Sequence, residues 1–384
     1  MRGSNKHYAA LTIDTSIFEK HGLKLNKGLL AELDQFSDKP IDLILSDIVF
    51  LELKSHLHKK EMETRNKVGL ALKDASNYLN CCDNDIDKIV LSLGMNLKDG
   101  SISDAQLTDF VTKCNVNIIE SQQYCDMGTL INLYFSNSAP FKDVGIKKNE
   151  FPDAISLLSL EAWANENDKK ILAVSSDKDW GYFAEGKDNV DVIDDLAGAI
   201  EILNTQTNEA LSCIINEIRK DLLNYSNSEI YKRIYSSIEQ YLDVPDVYAD
   251  SAYNYYVDYS SIDLIEVEIF KNSINDDVQV YLVNSNSDGI TLSVKCKVYC
   301  EVTAHFNFFI WDSIDKEDVA LGVDEKTIEV PYTTDVLVYL YGNFLSGLPS
   351  MEIGNVEVID QLGTVEIGSV SPFNHDEYEQ FLSE

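Results

Sequence analysis

Lys170-Ile-Leu-Ala-Val-Ser-Ser-Asp177-Lys-Asp179-Trp180 is the stretch on which the fold turns. A short apolar run reads as a buried strand, and the acids that follow it open a helix. Four other segments repeat the strand half of this pattern: 8–14, ending in Asp14; 41–46, ending in Ser46; Val116–Ile119; and Val190–Ile193. Helical periodicity falls between or after them, at 27–36, 47–79, 103–113, 125–136, 153–167 and 194–205. Ser46 has the chemistry of an N-cap for the helix that carries Glu52. Strands alternating with helices predict a parallel sheet covered on both faces. The segment from about 55 to 115 exceeds a single crossover and reads as an inserted helical layer.

Composition sets the limits. At 384 residues and 45% hydrophobic, the chain is long enough for two or three domains and can bury a sizeable core. No apolar run approaches the ~18–20 residues of a membrane span. Seven cysteines without a regular framework fit a reducing cytosol, so the expected location is cytoplasmic. A net charge of −34 opposes nucleic-acid binding, since affinity for phosphates comes from Lys and Arg. Residues 201–384 hold 33 acidic and 9 basic side chains, so −24 of the excess lies outside the N-terminal part.

Beyond Ile262 the hydrophobic period becomes two, as in Leu292, Val294, Cys296, Val298, Cys300, Val302, Ala304, Phe306 and Phe308. That run exceeds an ordinary strand and predicts a bend or break within it. Further strands are expected at 326–330, 335–341, 351–359 and 363–369, giving an antiparallel sandwich or barrel. Between the two halves, no Lys or Arg occurs from Arg233 to Lys271, while Tyr248, Tyr253, Tyr255, Tyr256 and Tyr259 crowd the gap. Without cations these tyrosines read as packing residues and not as a base-stacking platform. The expected division is therefore 1–205, a helical and Tyr-rich acidic linker at 206–261, and a β-rich domain at 262–384.

Taken singly, the acids have ordinary explanations. Asp14 suits a loop or cap, Asp153 opens a helix after Pro152, Asp177 and Asp179 suit a short helix's first turn, and Glu52 suits a solvated face. Jointly they occupy the carboxyl ends of predicted parallel strands, where open α/β sheets place ligand crevices. His56 and His58 are two apart on a helix and point away from each other, so they do not make a zinc pair. Cys296 and Cys300 lack a second pair and read as core. No phosphate-binding Gly-rich loop and no nucleophile elbow is present.

The pattern resembles the PIN-domain nucleases. Asp14 followed by Thr15 and Ser16, Glu52 in the helix after the second strand, Asp153 opening a late helix, and Asp177-Lys-Asp179-Trp180 after the next strand match that family's motifs. The stretch 147–154 (Lys-Lys-Asn-Glu-Phe-Pro-Asp-Ala) is similar to a bacterial subgroup with a longer insertion. Trp180 stands where Phe is commoner, a departure read as affecting packing only. The resemblance covers roughly residues 8–200 and implies a PIN-like α/β fold for residues 1–205.

It also implies a metal-dependent endonuclease that hydrolyses phosphodiesters, RNA before DNA, with one or two Mg²⁺ or Mn²⁺ ions. On that reading Asp14, Glu52, Asp153 and Asp177 hold metal, and Asp179 is an outer ligand or cap. Thr15, Ser16, Ser175 and Ser176 orient them. Lys54, Lys59, Lys60, Lys147 and Lys148 are the candidate nucleic-acid contacts. A toxin or antiviral role fits by analogy, and the acidic C-terminal domain suits a protein partner or self-association. Two other readings stand beside this one: a non-catalytic scaffold that keeps the fold, and a DNA nuclease.

Overall fold

The computed structural model describes residues 7–79, 83–141, 150–206, 208–272 and 277–373. The chain forms two compact units, Met1–Thr207 and Asn208–Glu384. No helix among the described residues is long and apolar enough to cross a membrane.

The first unit is built on five parallel strands: β1 (Ala10–Ile13), β2 (Asp42–Ser46), β3 (Asn117–Ile119), β4 (Ile171–Val174) and β5 (Val190–Ile193), in the order β3-β2-β1-β4-β5. Every residue of β1 and β4 is buried, as expected of central strands covered on both faces. The chain runs outward from β1 through β2 to β3, then returns to the other side of β1 for β4. The strand order therefore reverses between β1 and β4, which opens a crevice beyond their carboxyl ends.

Ten α-helices in this unit are described: α1 (Thr15–Lys20), α2 (Gly28–Ala31), α3 (Asp47–Tyr78), α4 (Asp83–Ser92), α5 (Ser101–Lys113), α6 (Ser121–Tyr124), α7 (Met127–Ser136), α8 (Phe151–Glu166), α9 (Lys178–Ala184) and α10 (Leu196–Thr205). Ser46 caps α3 by accepting the Val49 amide at 3.1 Å. Its hydroxyl also meets that of Ser156 on α8 at 2.7 Å, and both serines are buried. One hydroxyl thus starts α3 and ties it to α8. Ser46→Ala is expected to cost about 1–2 kcal/mol in chemical denaturation. The Ser46→Ala/Ser156→Ala pair should cost less than the two single changes summed, because neither hydroxyl is then left without its partner.

The inserted layer, α4 and α5, is fastened to α3 by ion pairs. Glu61 and Arg65 meet at 2.8 Å with little solvent exposure. Glu61 accepts the amide and hydroxyl of Ser103, satisfying the start of α5, while Arg65 donates to the Gly94 and Met95 carbonyls just after α4. Each charge thereby closes a helix end. Asp104 on α5 takes Lys54 at 3.1 Å and His58 at 2.7 Å, and these contacts hold its carboxyl below the usual range.

The second unit starts with α11 (Glu209–Leu223) and α12 (Glu229–Gln240). Its strands are β6 (Asp246–Asp250), β7 (Asn254–Ile269), β8 (Val280–Ser285), β9 (Gly289–Asp312), β10 (Glu317–Gly342), β11 (Met351–Val358) and β12 (Thr364–Ser369). One open antiparallel sheet runs β11-β10-β9-β7, with β8 also on β9. The antiparallel β-rich part predicted from the alternating pattern takes this form. Ile214, Ile218, Ile234 and Ile238 of the two helices join Val294, Val298 and Val338 in one core, so the stretch 208–261 of the expected linker is part of this unit's interior and edge. The spacing of those isoleucines gives each helix an apolar stripe, which the sheet covers.

β9 runs 24 residues without a break, where a bend was expected. Its first half is covered by α11 and α12. Its second half is covered by Ile367 and Val370 beside the parallel pair β6·β12, with Phe306 and Phe308 buried between. A strand packed from Ile290 to Phe308 has no need to end between its two coverings, and large apolar side chains are exposed only in its last residues, at Ile310 and Trp311. The irregularities fall in its partners instead, as register shifts in β7 and in β10 at Ala320/Gly322. β10 likewise fuses the two strands expected at 326–330 and 335–341. Pro331 sits within it opposite Tyr299 of β9, at a point that β11 does not reach, so its missing N–H costs no sheet bond. The tyrosine-rich gap is strand as well: Tyr255 packs on Phe306, and its hydroxyl bonds both the amide and the carbonyl of Ala249.

Candidate active site

Asp14 follows β1 directly, and its amide donates to Val174 at the end of β4 (2.9 Å). The residue is 6% exposed, and its Oδ2 accepts the hydroxyls of Ser16 at 2.5 Å and Ser175 at 2.8 Å. Burial pushes the Asp14 carboxyl up, against those two hydroxyls and the Thr15 and Ser16 amides. The Ser175 hydroxyl also accepts the Asp177 amide at 3.0 Å, and the Ser176 amide donates to Ser16 at 3.3 Å. The loops after β1 and β4 are therefore sewn together across the sheet's switch point.

Glu52 lies on α3 and accepts the Thr15 hydroxyl at 2.8 Å, which ties α3 to α1. Asp153 lies in the first turn of α8 and accepts the Trp180 indole N–H at 3.3 Å. Its carboxyl is pushed up to about 7: burial is the main cause, the indole opposes it, and the charges of Asp14, Glu52 and Asp177 add to it. These three acids are thus near enough to Asp153 for their fields to act on it. Asp177 is exposed, and one of its oxygens caps α9 by accepting the Asp179 amide at 2.9 Å. The helix-cap reading holds for that oxygen. Asp179 is buried in the first turn of α9.

Trp180 does more than pack. Its ring is fully buried and its N–H grips Asp153, which the commoner Phe could not do. The tryptophan itself was the available signal, since a buried indole N–H needs an acceptor. Of the basic candidates, Lys54 is taken by Asp104, whereas Lys59 and Lys60 are exposed on α3. Lys147 and Lys148 lie outside the described residues.

Residues 11–180 match the family model of the PIN domain. Over this part the chain is similar to the PIN domain family. No curated protein and no solved structure matches the chain, and the family match does not reach the second unit. A PIN domain implies a nuclease-like fold, usually for metal-dependent cleavage of RNA or DNA. Among the described residues, no three His, Cys, Asp or Glu side chains already converge as a ligand cluster. Asp14, Glu52 and Asp153 are turned instead to Ser16 and Ser175, to Thr15, and to Trp180. The donors on offer at this site are carboxylate and hydroxyl oxygens, which suit a hard divalent cation such as Mg²⁺ or Mn²⁺. Asp14 is buried, Asp153 is half-buried and both carboxyls are raised, so a cation would supply a positive charge that offsets their desolvation.

Proposed function

We propose that the chain is a metal-dependent endonuclease that hydrolyses phosphodiester bonds in RNA. The observation that supports this reading most is that Asp14, Glu52 and Asp177 lie near enough to Asp153, at the switch point of the sheet, for their charges to add to the larger effect of burial in raising its carboxyl. Structural acids are ordinarily neutralised by Lys or Arg, and among the described residues these four form no ion pair with either; their side-chain oxygens take the hydroxyls of Ser16, Ser175 and Thr15, the Trp180 indole and the Asp179 amide.

In this reading Asp14, Asp153 and Asp177 hold the metal, Glu52 holds it directly or through water, and Asp179 supports them from the first turn of α9. One or two bound ions supply the charge that activates water and stabilises the leaving oxygen. The chain's own part is positional. Ser16 and Ser175 fix the Asp14 oxygen, Thr15 fixes Glu52, and Trp180 fixes Asp153. The Asp153 carboxyl keeps a proton below about pH 7 and releases it above.

The acidic second unit is read as the part that binds a protein partner or a second copy. Deleting it without changing association would contradict that role. A cytoplasmic toxin or antiviral context extends the same reading by analogy of fold. The test of the activity is incubation of mixed labelled RNA, single-stranded DNA and duplex DNA with Mg²⁺ or Mn²⁺. RNA cut only with metal supports the proposal. DNA cut in preference replaces the substrate, and a chain that cuts nothing and binds no metal is a scaffold.

A further inference from the structure

α3 is one continuous helix of 32 residues, about 48 Å long, so it extends far past the acidic crevice. Glu52 marks the face of α3 that looks toward the crevice, through its bond to Thr15 on α1. One turn further along both helices, His56 meets Glu19 at 2.6 Å, so the two helices stay in register. Residues four, seven, eight and fifteen places beyond Glu52 share its face. They are His56, Lys59, Lys60 and Lys67, with Glu63 the acid between them. The three lysines are exposed, and none has a carboxylate partner among the described residues. The other side of α3 is different: Lys54, His58 and Arg65 are all engaged by Asp104 or Glu61. In a chain of net charge −34, uncompensated lysines aligned with the acidic crevice stand out.

We propose that the Glu52 face of α3 is a track for a single strand of nucleic acid, with Lys59, Lys60 and Lys67 contacting the phosphates of the strand that leaves the crevice. The inference rests on the nuclease reading for what the crevice does. Its occupant is a polyanion because the track offers cations and no aromatic platform, so it positions backbone without reading bases. From Glu52 to Lys67 is about 22 Å along the helix axis, a span of several nucleotides of a single strand.

The test compares the full chain with its Lys59→Ala/Lys60→Ala/Lys67→Ala variant, changes that suit an exposed helix. Lys113→Ala, which removes an ammonium 2.7 Å from Asp109, serves as the charge-loss control. Substrates are oligouridylates of 20 and 4 nucleotides. The triple variant should raise KM for the 20-mer at least tenfold with kcat unchanged, and leave the 4-mer unaffected. The salt dependence of 20-mer binding should become shallower by about 2 in log–log slope, ~0.7 for each lost phosphate contact. An unchanged 20-mer, or an equal loss on both lengths, overturns the track. If the wild type cuts nothing, fluorescence anisotropy with the same 20-mer separates the two claims. Binding that depends on the three lysines keeps the track while the nuclease reading falls, and binding indifferent to them overturns the track.

Discussion

Asp14→Asn combined with Asp177→Asn is expected to lower metal-dependent cleavage by on the order of 10³-fold or more, while leaving the fold intact. The two residues come from the loops on either side of the switch point, after β1 and β4, and share Ser175 as a hydrogen-bond neighbour. An amide keeps the volume of each carboxylate and its oxygen still accepts, from the Ser16 and Ser175 hydroxyls at position 14 and from the Asp179 amide at position 177. What it removes is charge. Because burial pushes the Asp14 carboxyl up, its ionised form costs stability, and the variant should unfold at the same or a higher temperature than wild type without metal. Loss of cleavage with unchanged or improved stability is the signature of a site kept for function. A variant that cuts as well as wild type would remove these acids from the chemistry. One that simply fails to fold would make them structural.

Asp153→Asn separates stability from function by pH. The Asp153 carboxyl titrates near 7 in the folded chain, against an ordinary value of 3.8. A raised carboxyl favours folding relative to its ionised form only while it keeps its proton. That contribution is complete below about pH 4, declines as pH rises, and is gone above about pH 7. Asparagine never ionises. In the metal-free chain the variant should therefore match wild type near pH 4 and exceed it at pH 8. An upper bound near 4 kcal/mol follows from ~1.36 kcal/mol per pH unit, and sharing with neighbouring charges brings the expected gain to about 2–4 kcal/mol. Denaturation followed through the buried Trp163 and Trp180 measures it. Added Mn²⁺ should invert the order by stabilising only wild type. A pH-independent difference would mean that neither burial nor the neighbouring acids raise the Asp153 carboxyl.

The parts of this fold legible in the sequence are those whose signal is local. β1, β2 and β4 are short apolar runs that end in Asp14, Ser46 and the Ser175–Asp177 turn, and each fell within a residue or two of its expected bounds. Their acids were legible for the same reason, since strand ends put them at the crevice. Contacts between distant residues were not. Lys54 looked like a free cation because Asp104 is fifty residues away in sequence. The stretch from 206 read as a linker because an amphipathic helix does not say which surface covers its stripe. Here that surface is β9 and its neighbours. The unbroken β9 was hidden in the same way, its length being set by two separate coverings that only the folded unit brings together. The parallel pairing of β6 with β12 joins segments more than a hundred residues apart, beyond the reach of periodicity.

The most direct test is calorimetric titration of Mn²⁺ into wild type and into the Asp14→Asn/Asp177→Asn variant at pH 7.5 and pH 6, in two buffers of different ionisation enthalpy. The account predicts saturable binding by wild type, weaker at pH 6, with proton release revealed by the buffer dependence. It predicts no saturable heat for the variant. Equal binding by both proteins, or none by wild type at either pH, would contradict the claim that these carboxylates form a metal-dependent catalytic centre.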